Sequence, residues 1–86
     1  MPDSWGKWRY SRAFSRAERG RLVREAIEGL DPGDREIIAL RGLEGLSNSE
    51  AAAVLGLTKA AASNRYVRAM ARLQAALRRV PGLLDL

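Results

Sequence analysis

The chain has 86 residues, a formal net charge of +5, and neither cysteine nor histidine. This length indicates one small domain, and the two missing residue types exclude disulfide bonds, thiolate or histidine metal sites, and acid–base catalysis by histidine. Because there is also no Gly-rich phosphate loop, no cluster of carboxylates on one face and no apolar run near the ~20 residues of a membrane helix, we expect a cytoplasmic, non-enzymatic protein without a cofactor or a membrane contact.

The first third of the chain divides into an irregular arm and a helix. Residues 1–17 show no apolar periodicity and mix basic with aromatic side chains, among them Trp5, Trp8 and Tyr10. Such a segment cannot bury its own aromatic rings, so we predict a flexible arm or linker over 1–17 and a helical domain over 18–86. The first helix is predicted from about Ala17 to Gly29, with apolar residues at steps of three and four and a glycine suited to the C-terminal cap.

The second predicted helix begins at Asp31-Pro32, an N-cap followed by a proline at the first helical position. Asp34 is expected to interact favourably with the positive end of this helix. The helix is predicted to end at Gly45. Its predicted apolar side consists of Ile37, Ile38, Leu40 and Leu43.

A capped helix and a tight turn are predicted next. Ser47-Asn48-Ser49-Glu50 forms a capping box, in which the serine and glutamate side chains bind each other's backbone amides. The helix ends at Leu55, and Gly56 supplies the left-handed conformation of a tight turn. Thr58 then caps the helix that follows.

The last predicted helix is the longest and runs from Lys59 to about Val80, before Pro81-Gly82. Its apolar residues form one stripe: Ala62, Tyr66, Ala69, Leu73 and Leu77. The final residues 83–86 are either an apolar tail folded back on the bundle or a frayed end. The predicted fold class is all-α, a four-helix domain with a C-terminal helix-turn-helix.

Basic residues are concentrated in this last helix. Residues 58–84 contain six basic side chains and no acidic one, whereas residues 25–50 contain seven acidic and two basic side chains. A helix of one charge sign in a chain of mixed charge indicates a polyanionic partner. The alternative is a solvated basic face without a partner.

A short capped helix, a tight turn and a basic helix together predict a DNA-binding helix-turn-helix whose second helix enters the major groove. On its outward side, Asn64 can pair with adenine, Arg68 with guanine or a phosphate, and Val67 can touch a thymine methyl group. Phosphate contacts are predicted for Lys59, Arg65 and Arg72, and for the backbone amides of Asn48 and Ser49 at the preceding helix N-terminus.

Two of these residues have an alternative explanation that the sequence leaves open. Asn64 also fits an ordinary solvated surface position, although the pattern favours the DNA contact. Arg65 can form a salt bridge within the domain, with Glu44 or Glu50 as its partner.

Residues 30–77 resemble region 4 of the sigma-70 family, in particular that of extracytoplasmic-function sigma factors. The resemblance rests on segments that occur in the family's order and without gaps. They are Leu30-Asp31-Pro32 leading to Asp34-Arg35-Glu36-Ile37, Leu40-Arg41-Gly42-Leu43-Glu44-Gly45-Leu46-Ser47 with Glu50-Ala51-Ala52, Leu55-Gly56-Leu57-Thr58, and Asn64-Arg65-Tyr66-Val67-Arg68-Ala69 with Ala71-Arg72-Leu73.

The resemblance implies a protein that binds the −35 element of double-stranded promoter DNA through its last helix. It also implies docking on the flap of the β subunit of the RNA polymerase core, and it leaves open whether an anti-sigma factor is a further partner. The positions equivalent to the family's DNA contacts are Lys59, Ser63, Asn64, Arg65 and Arg68.

The chain departs from the family in two respects. Ala60-Ala61-Ala62-Ser63-Asn64-Arg65 stands where the family usually has Gly-Thr-Val-Lys-Ser-Arg, which leaves the preferred −35 sequence open. Region 2, which melts the −10 element in the family, is missing. We therefore expect either an excised domain or a stand-alone region 4-like regulator.

Two other functions are compatible with the sequence. Gly45-Leu46-Ser47-Asn48 followed by Glu50 also fits a LuxR-type response-regulator DNA-binding domain, although the last helix here is longer and carries a run over 68–73 that is typical of sigma factors. Alternatively, the domain acts chiefly by binding RNA polymerase or an anti-sigma factor through the apolar faces of its first two helices. Salt dependence separates these cases, because phosphate-dominated binding weakens steeply with salt.

Overall fold

A computed structural model describes residues 14–84 of the chain. They form the helices α1 (Arg16–Glu28), α2 (Pro32–Ile38), α3 (Asn48–Leu55) and α4 (Lys59–Arg78), with a π-helical segment, Ala39–Leu43, continuing α2. No strand occurs in this range, which confirms the predicted all-α class. Residues 1–13 of the predicted arm and residues 85–86 of the tail lie outside the described residues.

The helix α1 begins one residue before its predicted start, because Ser15 is an N-cap that the sequence analysis did not identify. Its Oγ accepts a hydrogen bond from the Glu18 amide at 3.1 Å, and the Glu18 carboxylate accepts one from the Ser15 amide at 3.3 Å. Such a capping box satisfies amides that the first helical turn leaves without partners. Arg16 and Ala17 of the predicted arm therefore belong to the helix.

The second helix ends differently from the prediction. After Ile38 the backbone continues as the π-helical segment, in which the Glu44 amide donates to the Ala39 carbonyl at 2.9 Å. A π-turn holds more residues than an α-turn. Leu43, three residues after Leu40, is therefore rotated further about the helix axis, away from the side on which Leu40 lies. Leu43 is therefore 73% exposed, and its predicted place on the apolar side is wrong.

The helix α4 is central and packs against α1, α2 and α3. Its predicted apolar stripe is confirmed, because four of the five residues are buried and Tyr66 is half-buried. The other elements contribute the rest of the buried core: Ile37, Ile38, Leu40, Ala51 and Leu83. Leu83 is 5% exposed, so the first residue of the C-terminal tail folds back on the bundle.

Candidate DNA-binding surface

The helices α3 and α4 meet at an abrupt turn. Gly56 ends α3 with a φ of 66°, in the left-handed region, and the Leu57 amide donates to the Ala52 carbonyl at 2.9 Å. Thr58 then caps α4, since its Oγ1 accepts a hydrogen bond from the Ala61 amide at 3.0 Å. The predicted turn and cap are thus confirmed, and together they complete a helix-turn-helix.

Small buried residues let α3 and α4 approach each other closely. Ala51 and Ala62 are fully buried and Ala52 nearly so. The first turns of the two helices are also joined directly, because the Asn48 side chain donates from Nδ2 to the Lys59 carbonyl at 3.0 Å. The side chain of Asn48 therefore fixes the helix pair, and its predicted DNA contact depends on its backbone amide.

The outward face of α4 presents every DNA-binding side chain that was predicted on this helix. All of them are exposed: Lys59, Ser63, Asn64, Arg65, Val67, Arg68 and Arg72. No acidic residue occurs along α4, and the apolar side chain of Val67 is 63% exposed. The face therefore offers positive charge together with one amide and one exposed apolar side chain.

Four of these side chains line a single cleft between α4 and the N-terminal turn of α2. The cleft has a volume of about 520 Å³ and is lined by Ala61, Asn64, Arg65, Arg68 and Arg72 from α4, and by Asp31, Gly33 and Asp34. Lys59, Ser63 and Val67 are not part of this lining. The structure therefore divides the predicted residues of α4 into one group that lines the cleft beside α2 and another group that lies outside the cleft.

Arg72 is engaged within the domain. Its Nη1 lies 2.9 Å from both carboxylate oxygens of Asp34, whose side chain is 7% exposed, whereas that of Arg72 is 56% exposed. From the sequence, Asp34 is expected to act only on the positive end of α2. The structure corrects this, because the carboxylate points into the domain and pairs with α4.

Arg65 is not held by either of the acidic partners considered for it. Within residues 14–84, the salt bridges join Arg21 to Glu25 and Arg72 to Asp34. Arg65 instead lies at the cleft with an exposed side chain. Its charge is therefore available to an external partner.

The N-terminus of α3 carries the predicted capping box. The Glu50 amide donates to Ser47 Oγ at 3.1 Å, and the Ser47 amide donates to Glu50 Oε1 at 2.8 Å. These hydrogen bonds from Ser47 lower the pKa of Glu50 below its usual 4.5, because they favour the charged form. A carboxylate consequently lies next to the amides of Asn48 and Ser49, where it opposes the approach of a phosphate.

Arg41 joins three elements, a role that the sequence did not predict. Its guanidinium lies 4.9 Å from the centroid of the Tyr66 ring on α4. Its Nη1 donates to the Leu46 carbonyl at 3.0 Å, immediately before the N-cap of α3. Arg41 therefore fixes the position of the helix-turn-helix relative to the π-helical segment.

One sequence signal was available for both Asp34 and Arg41. Each lies three or four residues from Ile37 and Ile38, and residues with this spacing share one face of a helix. A charged residue on a face that is otherwise apolar has to find a partner inside the domain. The pattern thus indicates that both are paired, although not with which residue.

None of the helices in the described range combines the length and the apolar character that crossing a membrane requires. In the same range, acidic side chains are not grouped so that they could hold a metal ion.

Comparisons with known proteins agree with this geometry. The profile of the family "Sigma-70, region 4" matches residues 20–73, more than half of the chain. The RNA polymerase sigma factor CnrH of Cupriavidus metallidurans is 47% identical over 55 residues, which cover 64% of this chain and 29% of that protein. The chain thus spans less than a third of the length of this relative. No solved structure matches the chain.

The predicted resemblance is confirmed by the family match. The matched residues include α2, α3 and the part of α4 that carries Asn64, Arg65 and Arg68. The match also favours a sigma factor over the LuxR-type alternative. The chain belongs to the sigma-70 region 4 family.

Proposed function

We propose that the exposed face of α4 binds the −35 element of double-stranded promoter DNA while the domain is bound to RNA polymerase during transcription initiation. The observation that carries this proposal is the acid-free, basic face of α4, presented by a helix-turn-helix in a chain of this family. Duplex DNA carries one negative charge about every 1.7 Å along its axis, which attracts such a face. The domain acts in the cytoplasm as a binding module and not as an enzyme.

Sequence preference is assigned to three outward side chains of α4. Asn64 and Arg68 lie one helical turn apart and are both exposed, so they can reach the edges of neighbouring base pairs. An asparagine pairs with adenine through two hydrogen bonds, and an arginine does so with guanine. Val67, on the adjacent strip of the helix, is suited to the methyl group of a thymine.

Affinity is assigned to the flanking residues. Lys59 and Arg65 are exposed cations without an acidic partner among the described residues, and we assign them to phosphates on the two sides of the groove. Ser63 can add a neutral hydrogen bond to the backbone. Contacts of this kind position the protein on the duplex but carry no sequence information.

The N-terminus of α3 is assigned a further phosphate. The backbone amides of Asn48 and Ser49 lie in the first turn of α3, where unpaired amides and the helix dipole favour an anion. The charge of Glu50 reduces this attraction. We therefore expect a smaller contribution from this contact than from Lys59 or Arg65.

Docking on RNA polymerase, at the β flap, is assigned to the exposed apolar side chains outside α4. Leu43 and Val54 are 73% and 63% exposed, and α1 contributes no fully buried residue although it carries several apolar ones. Apolar side chains left in water are available to a protein partner. The same surface suits an anti-sigma factor, which would then compete with polymerase.

The DNA-binding part can be tested without knowing the promoter. A pool of duplexes with a randomised central segment is selected on the full chain, and the enriched duplex is then titrated by fluorescence anisotropy against a scrambled duplex. We expect convergence on one short motif and binding that weakens steeply as salt rises. A pool that fails to converge would contradict sequence-specific binding.

The polymerase part needs a separate test. Core RNA polymerase, with and without the flap of its β subunit, is incubated with the immobilised chain. We expect retention of the intact core only. Leu43→Asp should reduce retention and leave the binding of the selected duplex unchanged, and equal retention of both cores would contradict docking on the flap.

A further inference from the structure

Asp34 is the buried charged residue of the described chain, with 5% of its surface exposed. It lies in the first turn of α2, and its carboxylate reaches across to α4. A carboxylate is costly to bury unless a partner compensates its charge. The guanidinium of Arg72 is that partner.

The pair is asymmetric in a way that leaves Arg72 open to a second anion. Both oxygens of Asp34 accept from the same nitrogen, Nη1, at 2.9 Å each. A guanidinium has five N–H donors, and those on Nε and Nη2 make no hydrogen bond within residues 14–84. The Arg72 side chain is 56% exposed, whereas that of Asp34 is 7% exposed, so the unused edge of the guanidinium is accessible from solvent.

The location of Arg72 indicates the chemical class of this second anion. It lines the same cleft as Asn64, Arg65 and Arg68, at the end farther from the turn. These residues follow one another at steps of one, three and four, and so lie on the same side of α4. A helix that reads bases with Asn64 and Arg68 brings the sugar-phosphate backbone of the groove edge to the next residue along this side.

We propose that Asp34 is a positioning residue that holds Arg72 at the edge of the cleft, where its free side binds a backbone phosphate of the DNA. The proposal rests on the proposed DNA-binding function and adds a contact that starts from α2. An arginine held in one orientation loses less conformational freedom on binding than a free one. Its planar fork also suits a carboxylate on one side and a phosphate on the other.

Plain electrostatics makes the opposite prediction for Asp34. Removing a negative charge beside a DNA-binding face should tighten binding at every sequence. If Asp34 positions Arg72, its isosteric replacement by asparagine should weaken binding although the domain becomes more positive. The sign of this change therefore separates positioning from a salt bridge that serves only to join α2 to α4.

The test compares Asp34→Asn, Arg72→Gln, the double variant and Arg78→Gln, all in the full chain. Arg78→Gln is the matched control, because it removes the same charge from the last turn of the same helix. The dissociation constant of the selected duplex and of a scrambled duplex is measured between about 50 and 200 mM salt. Circular dichroism melting curves verify that each variant is folded at the assay temperature.

We expect Arg72→Gln to weaken binding to both duplexes by the same factor, because a phosphate contact does not read sequence. Loss of one phosphate contact reduces the magnitude of the slope of log affinity against log salt by ~0.9. Over that salt range, the factor by which salt weakens binding should therefore be roughly threefold smaller for Arg72→Gln than for the wild type. Asp34→Asn should weaken binding severalfold in the wild-type background. It should have no further effect in the Arg72→Gln background.

Several outcomes would overturn the proposal. Tighter binding by Asp34→Asn, or equal effects of Arg72→Gln and Arg78→Gln, would leave the pair a purely structural salt bridge. If Asp34→Asn does not fold, Arg72→Lys is the deciding variant, because it keeps the charge but not the planar fork. An affinity of Arg72→Lys equal to that of the wild type would contradict positioning. If the wild-type chain binds no duplex, the proposed function itself fails. If Arg68→Ala loses binding and Arg72→Gln does not, only this inference fails.

Discussion

The guanidinium of Arg41 lies 4.9 Å from the centroid of the Tyr66 ring, so that the π-helical segment covers the half-buried tyrosine of the DNA-binding helix. The same guanidinium donates to the Leu46 carbonyl at 3.0 Å. Arg41 thereby links the loop before α3 to the middle of α4. The orientation of the helix-turn-helix depends on this one side chain as well as on the core.

We predict that Arg41→Ala lowers the free energy of unfolding by about 2 kcal/mol, because it removes a cation–π contact of ~0.5–1 kcal/mol and a hydrogen bond from a charged donor of ~1.5 kcal/mol. Arg41→Met should cost less, since it keeps the apolar stem and removes the buried Nε that has no hydrogen-bond partner. Urea unfolding followed by circular dichroism measures both. Arg24→Ala, at an exposed position of α1, is the control, and an equal midpoint for Arg41→Ala and this control would contradict the prediction.

The capping box of α3 predicts a pH dependence of stability. Hydrogen bonds from Ser47 lower the pKa of Glu50 from 4.5 in the folded state. The contribution of Glu50 is therefore fully present above about pH 4.5 and is lost as the pH falls through the lower folded value. The melting temperature should decline less steeply below pH 4.5 in Glu50→Gln than in the wild type.

Glu44→Gln is the matched control for this experiment, since it removes an exposed carboxylate that caps no helix N-terminus. Its melting curve should keep the wild-type acid dependence. Ser47→Ala should lower stability by about 1 kcal/mol at neutral pH. A wild-type pH profile in Glu50→Gln would show that the box does not form in solution.

Local rules explain which elements could be predicted from the sequence. The cap at Ser47, the turn at Gly56 and the apolar stripe of α4 each depend on residues close together in the chain, and all three are confirmed. The N-cap at Ser15 obeys the same rule, but the aromatic and basic residues before it indicated an arm up to residue 17, so the start of α1 was predicted at about Ala17. This error came from the neighbouring composition and not from a missing signal.

The remaining differences depend on contacts between distant residues or on a change of helix type. The pairing of Asp34 with Arg72 joins residues 38 positions apart, so neither local periodicity nor charge could identify the partners. The π-helical segment is a change of helix type that the apolar periodicity did not indicate, and it exposes Leu43 against the predicted pattern. The basic face of α4 was predictable, whereas the cleft beside it was not, because one wall of that cleft comes from α2.

Two glycines near α3 should respond to alanine in opposite directions. Gly56 has a φ of 66° and no neighbouring atom within 4 Å of an added Cβ, so that Gly56→Ala pays only the left-handed backbone cost of roughly 1–2 kcal/mol. Gly42 lies in the helical backbone of the π segment with equally open surroundings. Gly42→Ala should stabilise the domain by roughly 0.5–1 kcal/mol. Thermal melts of both variants test this pair, and destabilisation by Gly42→Ala would show that the π segment does not tolerate a Cβ.

Base reading by α4 makes the sharpest prediction about function. Asn64→Ala and Arg68→Ala each remove an exposed side chain from the outward face and should weaken binding of the selected duplex by about 1–3 kcal/mol. Binding to a scrambled duplex should change less, because a base contact contributes only where its base is present. Arg78→Ala removes a charge from the last turn of the same helix and should have a smaller effect, equal on both duplexes. Anisotropy titrations at one fixed salt concentration compare the three variants, and equal losses among them would mean that Asn64 and Arg68 do not form the reading surface.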